Sequence, residues 1–124
     1  MVHRWICDRL RVPFTVLCET LDTAKAQADH LTQSRNAAPT DVLLDPTGEI
    51  GHLYNARTTP HMFVIDTTGK LVYMGGIDDK PTTSKSDIQG ATNYVRAALQ
   101  DLASGRPVAT PVTRPYGCSV KYSS

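Results

Sequence analysis

The stretch from Thr58 to Gly76 constrains this chain more than any other. Thr58-Thr59-Pro60 ends any helix before it, because a proline ring crowds the helical conformation of the residue that precedes it. Met62-Phe63-Val64-Ile65 and Leu71-Val72-Tyr73-Met74 follow, two runs rich in β-branched and aromatic side chains. Asp66-Thr67-Thr68-Gly69-Lys70 joins them with the residue types of a tight turn, so the spacing predicts a β-hairpin that Gly75-Gly76 closes. A strand that starts beside His61, directly after a helix, needs a sharp reversal of the chain. A cis Thr59–Pro60 bond would supply it, whereas a trans bond, the form favoured before proline on sequence alone, would only end the preceding helix.

The flanks supply the other elements. Val12 to Cys18 reads as a short strand, and Val42-Leu43-Leu44 as a second, closed by the turn cluster Asp45-Pro46-Thr47-Gly48. Between them Leu21, Ala24, Ala28 and Leu31 recur at helical spacing. Ile50, Leu53 and Tyr54 give one apolar face to a helix of about two turns before the Thr-Thr-Pro break. After the hairpin, Ser86-Asp87-Ile88-Gln89 has the form of a capping box. The spacing predicts a helix from there, with Ile88, Ala91, Val95, Ala98, Leu99 and Leu102 on one face and Gly105 with Pro107 ending it. Pro107, Pro111 and Pro115 predict an extended tail over residues 106–124.

At 124 residues the chain has the length of one domain with one core. Lys plus Arg number 13 against 12 Asp plus Glu, with the signs interspersed, so no basic face for nucleic acid is expected. No apolar run approaches the ~20 residues of a membrane span, and Arg4, Asp8 and Arg9 interrupt the start where a signal peptide needs apolar residues. The chain as written is expected to be soluble and cytoplasmic, without membrane contact; an incomplete N-terminus would leave an exported compartment as the alternative. His3, His30, His52 and His61 lack metal-ligand spacing, and neither Gly75-Gly76 nor the glycines near Ile50 have a phosphate-binding spacing. No cofactor and no metal are expected.

Several stretches together carry a resemblance: residues 34–45 (SRNAAPTDVLLD), 58–66 (TTPHMFVID), 71–82 (LVYMGGIDDKPT), 93–102 (NYVRAALQDL) and 113–122 (TRPYGCSVKY). From about Ala24 to Tyr122 the chain resembles the C-terminal part of the redoxin family, the thioredoxin-like group of alkyl hydroperoxide reductases and thiol-specific antioxidant proteins. The resemblance implies an α/β thioredoxin-like fold, a central mixed sheet flanked by helices, here truncated or rearranged at the N-terminus. Residues 1–23 form a divergent N-terminal segment of a single domain spanning 1–124. The resemblance also makes the Thr59–Pro60 bond cis and Thr59, Pro60 and His61 the turn that docks an extended disulfide substrate, and implies thiol-disulfide oxidoreductase or peroxiredoxin-like activity on a thiol or disulfide protein or a peroxide.

One part of the family pattern is missing. Its nucleophilic cysteine stands at the start of the first core helix, where helix dipole and free N–H groups stabilise a thiolate. No such motif occurs here. Cys7 has Arg9 and Arg11 nearby but also Asp8, and no helix-start signal follows it. Cys18 ends a strand beside Glu19 and reads as core. Cys118 lies on the tail among cationic residues, within the matching motif, and is the candidate resolving or exchanging thiol, with Cys7 as second candidate. The alternative function is a non-catalytic thioredoxin-fold module for binding or self-assembly. If the strand that should precede the nucleophile is lacking, its slot in the sheet needs another donor, and a homodimer joined through the N-terminal strand is expected.

Overall fold

The computed structural model describes residues 15–18 and 41–122. The predicted helix over Leu21 to Leu31 and the candidate Cys7 lie outside the described residues. The chain divides into two compact units, residues 1–56 with 121–124, and residues 57–120. No described helix is long and apolar enough to cross a membrane.

In the first unit, strands β1 (Thr15–Cys18) and β2 (Asp41–Leu44) pair in parallel, Thr15 opposite Asp41 and Cys18 opposite Leu44. A parallel pair needs a crossover of a dozen or more residues, and 19–40 is long enough to supply one. The chain then turns through Asp45-Pro46-Thr47-Gly48 into helix α1 (Glu49–Leu53). Asp45 builds this corner. Its buried carboxylate accepts the N–H groups of Ile50 at 3.3 Å and Gly51 at 2.9 Å, which satisfies donors that a helix start leaves open. The helix is shorter than its sequence pattern, and Ile50, Leu53 and Tyr54, its predicted apolar face, are exposed. Tyr122 packs on α1: its ring stacks on His52 at 3.8 Å, and its hydroxyl donates to the Ala56 carbonyl at 2.7 Å.

The second unit is built on the predicted hairpin. Strands β4 (Met62–Ile65) and β5 (Leu71–Gly75) run antiparallel, with a register shift between Val64 and Ile65. Asp66 fixes the turn between them. One carboxylate oxygen accepts from the N–H of Thr68 and Lys70 and from the Thr68 hydroxyl, while Gly69 takes up a left-handed conformation. Helix α2 (Tyr94–Ala103) packs on both strands, and Val64, Tyr73, Val95 and Ala98 form the buried core between them.

The start of α2 corrects the sequence-based expectation. Lys85–Ile88 forms only one turn of 3-10 helix, and α2 begins at Tyr94 with Asn93 as its cap, its side chain accepting from the Arg96 N–H at 2.8 Å. Ile88 is exposed rather than part of the helix's apolar face. The reason is nonlocal. Residues 92–94 pair with residues 77–79: Asp79 donates to the Thr92 carbonyl at 3.2 Å and Tyr94 to that of Ile77 at 3.0 Å, with Asp78 and Asn93 bridged antiparallel. That extended pairing cannot coexist with a helix running through it, and Gly90 adds a helix penalty of about 1 kcal/mol relative to alanine. The far end is as predicted, with Gly105 left-handed just beyond the helix.

After α2 the tail is extended, and it is paired. Met74 donates to the Pro111 carbonyl at 2.9 Å and accepts from Thr113 at 3.1 Å, so Val112 lies parallel to β5. Farther on, β6 (Cys118–Ser119) runs antiparallel to β3 (Thr58–Thr59). The described strands thus pair two by two: β1 with β2, β3 with β6, β4 with β5.

Candidate functional site

The site forms where the tail meets the Thr59-Pro60 turn. The bond between these residues is cis, the isomer expected of the turn. In the β3–β6 pairing Thr58 stands opposite Ser119 and Thr59 opposite Cys118. Val120 extends the ladder by donating to the Arg57 carbonyl at 3.0 Å. Directly opposed residues share a face of a sheet and alternate residues share the other, so Thr59 and Cys118 lie on one face and Thr58 and Ser119 on the other. Cys118 is a free, exposed cysteine.

Two glycines make the approach of the tail possible. Gly117 has φ of 144°, and a Cβ on it would collide with the Thr59 carbonyl and crowd Pro60. Gly75, at φ 149°, faces Thr113 with no room for a side chain. The Thr113 hydroxyl accepts from the Gly76 N–H at 3.0 Å and lies 2.6 Å from the Tyr73 hydroxyl, which also donates to the Gly76 carbonyl. Tyr73 is the one fully buried large side chain among the described residues, so this knot is fixed to the core. A second tie follows at Tyr116, whose hydroxyl donates to Asp78 at 2.6 Å. Desolvation and the adjacent Asp78 carboxylate push the Tyr116 hydroxyl up to about 12.

His61 follows the turn. Its Nδ1 accepts the Arg57 N–H at 3.1 Å, so that nitrogen carries no proton, and its ring stacks on Phe63 at 4.5 Å. Its buried Nε2 has no hydrogen-bond partner among the described residues. Burial, with the Arg57 charge adding to it, lowers the imidazole pKa from 6.5, which favours the neutral ring. Thr58 braces the turn by donating its hydroxyl to the Pro60 carbonyl at 2.8 Å.

An open cavity of about 580 Å³ adjoins β3, walled among others by Thr58, Asp78, Asp79, Tyr94, Arg114 and Tyr116. Sequence reasoning did not single out Tyr116, Asp78, Asp79 or Arg114. Gly75-Gly76 was the available signal: two adjacent glycines mark a close backbone approach as well as a strand end. Of the sequence-predicted site residues, the structure brings Thr59, Pro60 and Cys118 together and sets His61 beside them in the chain. Among the described residues no group of three or more His, Cys, Asp or Glu could hold a metal ion.

No family model matches the chain, and no curated protein matches it. Solved structures do, and two of them are similar over nearly the whole chain. The likeness is one of fold. An uncharacterised conserved protein from Geobacillus kaustophilus is 26% identical, with a TM-score of 0.75 over 98% of this chain and 66% of its own. A hypothetical protein from Sinorhizobium meliloti 1021 is 21% identical, with a TM-score of 0.79 over 99% of this chain and 69% of its own. The chain thus spans about two thirds of the length of each.

Proposed function

We propose that this chain is a thioredoxin-like domain of the redoxin type, a thiol-disulfide oxidoreductase or peroxiredoxin-like module. Cys118 is its resolving or exchanging thiol, and Thr59, Pro60 and His61 form its docking turn. One observation carries the reading: β6 holds an exposed Cys118 in register with Thr59. A thiol fixed in this way can meet a disulfide drawn to the turn without first ordering a loose tail.

The step is an exchange. The Cys118 thiolate attacks one sulfur of a protein disulfide, a mixed disulfide forms on Cys118, and the other sulfur leaves as a thiolate. A second thiol, supplied by the substrate or a small-molecule donor, then attacks the mixed disulfide and returns Cys118 to the reduced state. Because Cys118 stands on a strand and not at a helix start, it lacks the dipole that activates fast-exchanging cysteines, and turnover is slow. Insulin reduction and peroxide consumption, measured for the wild type and Cys118→Ser, test this. The expected result is slow activity that the substitution abolishes; robust turnover by Cys118→Ser overturns the assignment.

A further inference from the structure

We infer that the cavity beside β3 is a binding site for a small zwitterion, an amino-acid-like or short-peptide ligand carrying a free ammonium group and a free carboxylate. Its volume of about 580 Å³ falls within the 300–1,000 Å³ typical of small-molecule sites. The chemistry of its walls is mixed in sign. Asp78 and Asp79 stand on one stretch of chain, and Arg114 comes from the tail.

Each charged group is oriented or open. Asp78 has one carboxylate oxygen occupied, by the Tyr116 hydroxyl and the Lys80 N–H. Asp79 likewise has one oxygen held, by the Thr92 N–H at 2.8 Å. The second oxygen of each has no hydrogen-bond partner among the described residues, which leaves an acceptor on each lining carboxylate for an ammonium group. Arg114 is exposed and makes no ion pair among the described residues, which leaves its planar fork for a carboxylate. A simple anion would meet the two aspartates, and a simple cation would meet the arginine. A molecule with both charges satisfies all three groups.

The site does not depend on the thiol. Thr58 lines the cavity, whereas Cys118 shares the opposite face with Thr59. Cys118→Ser is therefore expected to bind as the wild type does, whatever becomes of the exchange activity.

Calorimetric titration with alanyl-alanine, its N-acetyl derivative and its C-terminal amide tests the proposal. Saturable binding of the free dipeptide is expected, weaker by about fivefold for either capped form, the size of one partly exposed charge contact. Arg114→Gln should bind the dipeptide and its amide equally, and Asp79→Asn should narrow the preference for a free amino group. Failure of alanyl-alanine to saturate, or equal binding of all three forms by the wild type, overturns the proposal.

Discussion

Thr59 and Cys118 face each other across a two-residue antiparallel pairing, one from the turn before the hairpin and the other from the tail. Gly117 permits that pairing, since any side chain there would run into the Thr59 carbonyl. Gly117→Ala is expected to cost about 1 to 3 kcal/mol, the range for a residue forced into a sparsely populated backbone region. Chemical unfolding reads the loss of stability. Hydrogen exchange should localise the loosening to the amides around Thr59 and Cys118, with β4 and β5 less affected.

Tyr116 ties the tail to Asp78, and its hydroxyl is raised from 10.0 to about 12 by desolvation and by that carboxylate. A phenol with a raised folded pKa contributes stability that is complete below pH 10.0 and is lost as the pH climbs through about 12. Tyr73, raised by burial, adds loss in the same direction. The ultraviolet phenolate titration of Tyr116→Phe should lack the step near 12. Deleting the hydroxyl should also cost about 0.5 to 1.5 kcal/mol at neutral pH, the net worth of one hydrogen bond.

His61 gives the opposite slope on the acid side. Its pKa is lowered from 6.5 by burial and by Arg57, so the unfolded chain takes up this proton first. Its contribution to stability is complete above pH 6.5 and is lost as the pH falls below that value. Protonation also removes the Nδ1 lone pair that accepts from Arg57. Denaturation midpoints of His61→Gln should vary less between neutral and mildly acidic pH than those of the wild type.

The hairpin was legible because β-propensity, turn chemistry and the glycine pair all agree over one short stretch, and the structure has it as Met62–Ile65 and Leu71–Gly75. The Asp45 corner and the helix end at Gly105 were legible for the same local reason. The start of α2 was not. A capping-box pattern at Ser86 is a local signal, and it lost to backbone pairing between residues 77–79 and 92–94 that no periodicity announces. The site was half legible. The family-like motif around Cys118 named the cysteine, but its register with Thr59 depends on tail pairings only one or two residues long, too short to leave an alternating pattern. Asp78, Asp79 and Arg114 line one cavity because that tail returns along β5.

Assembly is open to a direct test. The homodimer proposed from the sequence, joined through the N-terminal strand, should give twice the 13.6 kDa chain mass in light scattering at micromolar concentration. A monomer across that range contradicts it.

The central claim is that Cys118 is the exchanging thiol. Intact-mass measurement of the fully reduced chain treated briefly with a peptide disulfide, followed by peptide mapping of the product, tests it most directly. The expected product carries one peptide in mixed disulfide linkage, on Cys118, and Cys118→Ser forms none on the same timescale. A mixed disulfide that maps to Cys7 or Cys18, or forms equally fast in Cys118→Ser, contradicts the account.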